Sequence, residues 1–217
     1  GNNGGESYHL KPRYACTGSG VYFVNVRTDK EGNAHEQPPL LLSDPIHLIG
    51  RGIDEQGSHY RIIEWRDRLT RQTKQAAIPQ AEIGSNAGWQ QLQRYGITVL
   101  SGRAKRERLA DYLQNHGSNQ PYTITDRAGW HGSAYLLPNG EAIHSGQEAP
   151  RIIYNGDTSQ AAAYTPAGTL EAWQQQIARY AAGNSRLCLA LGTALAAPLL
   201  SLLGEESGGF HLYGDSS

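Results

Sequence analysis

The residues best suited to chemistry in this sequence are four small polar ones that follow an apolar stretch: Gly214, Asp215, Ser216 and Ser217. A phosphate-binding loop needs a buried strand, a glycine-rich turn whose N–H groups face the anion, a lysine and a hydroxyl residue for magnesium. Phe210, Leu212 and Tyr213 predict the strand. The four polar residues fill the first positions of Gly-x-x-x-x-Gly-Lys-[Ser/Thr], so we predict a nucleotide-binding loop; a polar tail after a hairpin is the alternative.

The predicted loop is incomplete, because its second glycine, its lysine and its last hydroxyl residue would follow Ser217. The sequence also contains no methionine. Domains usually end in exposed linkers rather than directly after an apolar strand, so we expect the chain to be a piece of a longer protein. Without the lysine and the magnesium-binding hydroxyl, this piece should neither hydrolyse ATP nor bind it firmly.

A second set of residues could bind phosphate from the surface of a predicted helix: Arg103, Lys105, Arg106 and Arg108. Residues 61–110 carry ten basic side chains against four acidic ones, and the basic set includes Arg61, Arg66, Arg68, Arg71 and Lys74. A helix start already attracts anions, so cations there favour nucleic-acid phosphates. We predict a track for single-stranded DNA; the alternative is a solvated helix face. Trp65, Trp89 and Tyr95 could stack on bases or belong to the core.

Other reactive residue types form no recognisable site. The eight histidines show no metal-ligand spacing, and His131, between Gly129 and Gly132, predicts a structural turn. Cys16 and Cys188 are too few for a disulfide framework, which favours a reducing cytoplasm. We therefore expect no catalytic residue and no metal site in this chain. The net charge of -1 means that any contact with nucleic acid must come from a local patch.

The hydrophobic pattern predicts an α+β fold of antiparallel sheet meanders with two or three helices. Strands are expected at 20–27, 40–42, 46–51, 59–65, 97–100, 122–127, 135–137 and 151–154. Helices are expected at 87–95, after a cap at Ser85 or Asn86, at 103–115, and from Thr169 onward. This divides the chain into an accessory domain at 1–165, a helical linker at 166–207, and the first strand and phosphate loop of an ATPase domain at 208–217.

The linker contains an apolar run that carries no charge between Arg186 and Glu205. Its 17 residues, 187–203, fall short of the roughly 20 that a bilayer needs, and Gly192 and Pro198 interrupt it. We expect no membrane span here. The run predicts instead a buried pair of helices that packs against a following domain.

Several segments, in this order, resemble one bacterial family, catalogued as domain of unknown function 927. They are residues 122–137 with the centre Asp-Arg-Ala-Gly-Trp-His-Gly at 126–132, residues 168–173, the apolar residues 189–203, and residues 208–217. That family looks like helicase or primase-helicase proteins of phages, plasmids and integrating elements. In those proteins this region leads into a hexameric P-loop ATPase.

The resemblance implies an accessory region that positions single-stranded DNA for a P-loop motor. ATP and Mg²⁺ would serve the full-length protein, and only Gly214 to Ser217 match the nucleotide-binding motif. The alternative is a non-catalytic module for protein–protein interaction or oligomerisation, with no nucleic-acid contact.

Overall fold

The structure is a computed structural model that describes residues 10–159, 161–211 and 213–214. Contacts divide the described chain into two compact units. The first runs to Thr125 and takes in Arg151–Asn155, and the second comprises Asp126–Pro150 and everything from Gly156 onward. The chain therefore leaves the first unit, builds part of the second, returns for one strand, and leaves again.

The strands in chain order are β1 (Arg13–Thr17), β2 (Gly20–Val24), β3 (Val26–Thr28), β4 (Ala34–Glu36), β5 (Leu40–Ser43), β6 (His47–Ile53), β7 (His59–Arg66), β8 (Thr73–Pro79), β9 (Pro121–Thr125), β10 (Gly129–His131), β11 (Ala134–Leu136), β12 (Ala142–His144) and β13 (Ile152–Tyr154). The α-helices are α1 (Asn86–Arg94), α2 (Arg103–Asn115), α3 (Leu170–Gln176), α4 (Ser185–Ala196) and α5 (Leu200–Leu203). Short 3-10 turns lie at Gln80–Glu82, Ala161–Tyr164, Ala178–Ala181 and Ala197–Leu199.

The first unit contains a five-stranded sheet in the order β13-β9-β6-β7-β8. Strands β6, β7 and β8 are antiparallel, as the sequence predicts, whereas β9 runs parallel to both β6 and β13. A three-stranded antiparallel sheet, β1-β2-β5, and the small hairpin β3-β4 complete the unit. The α+β class is thus confirmed, with parallel strand pairs that the sequence pattern did not predict.

The side chains of strand β7 alternate between the two faces of the sheet, as the sequence predicts, and both faces carry buried apolar residues. Ile63 and Trp65 belong to the larger core, which also holds Leu92 of α1 and Leu109 of α2. Ile62 points to the opposite face and packs in a smaller cluster with Ala77 and Ile124. Since successive side chains of a strand point to opposite faces, one alternating segment supplies both clusters.

Two glycines of β6 let its neighbour β9 come close. A Cβ on Gly50 would lie 2.5 Å from the main-chain oxygen of Gln120, and one on Gly52 would lie 2.6 Å from the Ile124 side chain. Because only glycine lacks that atom, these positions permit the parallel pairing of β6 with β9.

The second unit consists of the antiparallel meander β10-β11-β12 and the helices α3, α4 and α5. Thr169 and Asn184 cap the starts of α3 and α4 by accepting hydrogen bonds from Ala172 N and Leu187 N. Within this unit the Trp130 indole Nε1 donates a 2.6 Å hydrogen bond to the main-chain oxygen of Pro198. The Trp130 side chain is only partly buried.

The apolar helical run Ser185–Leu203 is 19 residues long with a mean hydropathy of 1.8, which by length and composition alone would suffice to cross a membrane. None of its most apolar window is buried. The helices expected at this position are therefore present, and their apolar side chains are exposed within the described chain; their packing against a following domain stays a prediction. Leu195 and Leu203 are 65% and 70% exposed.

Candidate nucleic-acid interface

Helix α2 begins without a capping side chain. Its N-cap is Gly102, at φ 110°, and the first turn contains no acidic residue. Arg103, Lys105 and Arg106 all lie in that turn. Unpaired N–H groups and the helix dipole already make a helix start electropositive. Three cations there raise the local potential further, so this turn is suited to an anion.

The four predicted cations of α2 do not share one face. Residues three apart in a helix are separated by about 60° around its axis. Arg103 and Arg106 accordingly point one way, into a groove, while Lys105 and Arg108 lie on another side. Arg103 Nε also forms an exposed ion pair of 2.7 Å with Glu107 Oε1. The predicted continuous track is therefore two separate pairs.

Arg108 packs against the three-stranded sheet. Its guanidinium carbon lies 4.2 Å from the centre of the Phe23 ring, a cation–π contact. Lys105 and Arg106 are partly buried, and among the described residues no carboxylate lies within ion-pairing distance of either. Neither cation therefore has a carboxylate that would compete with an external phosphate, and the two side chains lie on different sides of the helix.

The groove has a volume of about 740 Å³ and lies between the starts of α1 and α2. Its lining mixes Arg103 and Arg106 with Glu107 and Asp111. The Nε atom of Arg106 is buried and has no hydrogen-bond partner among the described atoms. The groove is therefore close to charge-balanced, and its basic side is the one formed by the α2 start.

A tyrosine–carboxylate pair joins α2 to β1, and no local sequence pattern predicts it. The Tyr14 hydroxyl donates a 2.6 Å hydrogen bond to Asp111 Oδ2. Burial, and then this hydrogen bond, raise the pKa of Tyr14 to about 12. The hydrogen bonds from Tyr14 and Asn115 lower the pKa of Asp111, so the carboxylate stays ionised at neutral pH.

Arg61 cannot contact nucleic acid, although the sequence placed it in the basic region. Its side chain is 1% exposed, and Nη1 donates a 2.9 Å hydrogen bond to the oxygen of Ser118. Burial, followed by the nearby Arg51, lowers its pKa to about 10. Arg51 binds the same part of the chain, because its Nε donates to Asn119 Oδ1 and its Nη2 donates to the oxygen of Gln114. Both arginines therefore fasten the segment after α2 to the sheet.

The aromatic residues near the basic region are structural. Trp65 and Trp89 are 5% and 6% exposed and belong to the larger core. Tyr95 stacks on Trp65 with ring centres 4.9 Å apart. A base could stack on either tryptophan only by displacing this packing. Both tryptophans therefore belong to the core.

Only part of the predicted phosphate loop lies within the described residues. Residues 208–211, Tyr213 and Gly214 adopt no regular secondary structure, and Tyr213 is 91% exposed. Leu212, Asp215, Ser216 and Ser217 lie outside the described residues. No cluster of three or more His, Cys, Asp or Glu that could hold a metal ion occurs in the described ranges.

The family described as domain of unknown function (DUF927) matches residues 14–217. The match covers nearly the whole chain, so the protein belongs to this family. No curated protein matches the sequence.

Proposed function

We propose that this chain is the accessory N-terminal region of an ATP-dependent DNA helicase or primase-helicase of a phage, plasmid or other mobile element. In this proposal the start of α2 holds phosphates of single-stranded DNA for a P-loop motor that follows. The motor would begin at Gly214 to Ser217, use ATP and Mg²⁺, assemble as a hexamer and work in the cytoplasm. The observation that carries the DNA contact is the uncapped first turn of α2, where Lys105 and Arg106 have no carboxylate partner among the described residues.

The test is single-stranded DNA binding by the double variant Lys105→Glu and Arg106→Glu, measured by fluorescence anisotropy over a range of salt concentrations. Each single-strand phosphate contact contributes about 0.7 to the slope of log K against log salt, so losing two contacts should lower that slope by about 1.4. Arg108 is left in place, because its reversal would also remove the contact with Phe23.

The matched control is Arg27→Glu with Lys30→Glu, which changes net charge equally at two exposed positions of the first unit. The control should keep the wild-type slope. If both double variants lower the slope equally, the effect is one of overall charge and the α2 site is wrong. In the full-length protein, ATP hydrolysis stimulated by single-stranded DNA should fall with the α2 variant only.

A second candidate function is protein–protein interaction through the second unit. Six leucines leave a third or more of their surface exposed along the helical run: Leu187, Leu189, Leu195, Leu199, Leu202 and Leu203. A helix that is apolar on all sides belongs inside a protein or a bilayer. The hydrogen bond from Trp130 favours burial in a protein over burial in a bilayer. It brings the β10-β11-β12 meander, whose edges are open, to Pro198 within the helical run. Open sheet edges do not occur in the hydrocarbon of a membrane.

Sedimentation velocity over a range of concentrations tests this second function. Leu195→Glu with Leu203→Glu should abolish any self-association of the wild type, and Leu10→Glu, at an exposed leucine of the first unit, should not. Flotation of the wild type with lipid vesicles would contradict the protein-docking function and favour a membrane.

A further inference from the structure

The tip of the β7–β8 hairpin presents an apolar side chain to solvent. Leu69 is 93% exposed, more than any other large apolar side chain in the described chain. It lies in the six-residue connection between Arg66, the last residue of β7, and Thr73, the first of β8. Turns are dominated by Gly, Pro, Asn, Asp and Ser, so a leucine this exposed differs from the usual composition of a turn.

The tip is held in one shape by a carboxylate at its base. Asp67 Oδ1 accepts hydrogen bonds from the main-chain N–H groups of Leu69, at 2.8 Å, and Thr70, at 2.9 Å. Asp67 N donates to the oxygen of Gln72 at 2.9 Å, and Lys74 Nζ lies 2.7 Å from Asp67 Oδ2. The bond from Lys74, and then those from the turn, lower the pKa of Asp67. Leu69 is therefore projected by a preformed turn.

Cations surround the exposed leucine. Residues 66–74 contain four basic residues, Arg66, Arg68, Arg71 and Lys74, against one acidic residue. Arg68 forms an ion pair with Asp44, and Lys74 with Asp67. Arg66 and Arg71 have no acidic partner among the described residues, and both are exposed. Along the chain the exposed leucine thus lies between two arginines that have no acidic partner in the described part of the chain, and Arg66 Nε donates a 3.2 Å hydrogen bond to the oxygen of Arg71.

This pattern fits nucleic acid better than a protein partner. A protein interface needs about 800 Å² on each side around a cluster of apolar residues, and one leucine among charges does not supply it. Proteins that kink DNA, in contrast, insert a single apolar side chain between base pairs while cations hold the phosphates on either side. We propose that the β7–β8 tip is a DNA wedge, with Leu69 entering a base step of a duplex and Arg66 and Arg71 on the flanking phosphates.

Side-chain contacts connect the wedge to the segment that leads into α2. Arg68 is bound to Asp44, whose Oδ2 accepts a 2.7 Å hydrogen bond from Thr98 N. Four residues lie between Thr98 and Arg103, so the Cα atoms of these two residues are at most about 18 Å apart. This inference rests on the proposed function: the tip would meet the duplex side of a fork whose single strand runs to α2.

The test uses the whole chain and forked DNA with 2-aminopurine in the first base pair, whose fluorescence rises when that pair is unstacked. The wild type should raise this fluorescence. Leu69→Ala should abolish the rise and weaken fork binding about tenfold, the scale of one lost stacking contact, while binding of single-stranded DNA stays unchanged. Arg71→Gly, which removes a cation at a positive φ of 59° without backbone strain, should weaken fork binding in the same way.

Ile53→Ala is the matched control, because Ile53 is a 49% exposed apolar residue at the end of β6 and should alter neither signal. If Leu69→Ala keeps both the fluorescence rise and the affinity for the fork, the wedge is wrong. Should the reversal of Lys105 and Arg106 abolish single-strand binding in that same experiment, the proposed function still stands. Fork binding that depends on Leu69 but not on Lys105 and Arg106 would support the wedge and remove the α2 site. No binding to any DNA would overturn both.

Discussion

Tyr14 and Asp111 are 97 positions apart in the chain, yet the Tyr14 hydroxyl donates a 2.6 Å hydrogen bond to Asp111 Oδ2. The Tyr14 ring also lies against Phe23, with ring centres 5.0 Å apart, and Phe23 in turn lies under the guanidinium of Arg108. One continuous set of contacts therefore fastens α2 to the three-stranded sheet. The position of the candidate DNA-binding turn at the start of α2 depends on these contacts.

Replacing Tyr14 by Phe should destabilise the first unit by about 1–2 kcal/mol, because a hydrogen bond to a charged, partly exposed acceptor is lost while the ring packing is kept. Urea unfolding followed by tryptophan fluorescence measures this change. Tyr22→Phe is the control, since the Tyr22 hydroxyl contacts only the exposed Ser19 side chain at 3.0 Å. Equal losses in the two variants would mean that the Asp111 bond adds nothing.

The same pair predicts how stability depends on pH. The folded-state pKa of Tyr14 is raised from 10.0 to about 12, so its contribution is complete below pH 10 and is lost as the pH rises through about 12. The folded-state pKa of Asp111 is lowered from 3.8, so its contribution is present above that value and is lost as the pH falls. The stability difference between wild type and Tyr14→Phe should therefore be largest between about pH 4 and pH 10. A difference that does not vary with pH would contradict the assignment.

Gly50→Ala should cost about 1–3 kcal/mol, the usual penalty for forcing an extra methyl group into a packed position. The new Cβ would lie 2.5 Å from both the oxygen of Gln120 and the ring of Tyr122. Gly18→Ala, where a Cβ meets no atom within 4 Å, should leave the free energy of unfolding unchanged or slightly higher. Thermal and urea unfolding of the two variants provide the comparison. A stable Gly50→Ala protein would show that β6 and β9 separate easily.

Arg108 and Arg103 should behave differently although both are basic residues of α2. Arg108→Ala loses the contact with the Phe23 ring and should destabilise by about 0.5–1 kcal/mol. Arg103→Ala breaks only an ion pair whose partners are 92% and 62% exposed, and should have no measurable effect. Urea unfolding at low and high salt checks both. A larger loss for Arg103 would reverse the assignment of the two side chains.

Much of this fold could be predicted from local sequence signals. Ser85 and Asn86 are the two candidate helix caps in the sequence, and Ser85 accepts the hydrogen bond from Gly88 N that defines a cap. The helix at 103–115 was predicted with the bounds that it has, because its apolar residues repeat at helical spacing. These features depend on neighbours a few residues apart, which a single sequence contains in full.

The parts that could not be predicted depend on partners far along the chain. The parallel pairing of β9 with β6 is set by glycines about 70 positions earlier, and no local pattern reports it. Arg61 resembles any surface arginine in the sequence, yet the oxygen of Ser118 holds it inside the unit. The four cations of α2 were predicted as one site, but Glu107 and Phe23 engage two of them.

The return of the chain to the first unit through β13 has a consequence for the order of folding. Strand β13 pairs with β9 at the edge of the five-stranded sheet, yet the β10–β12 meander separates the two strands in the chain. Closing such a long loop costs conformational entropy before any hydrogen bond is gained. The edge of β9 therefore stays open while the rest of the sheet forms, and during synthesis it is the surface at which a wrong strand or a second chain would pair.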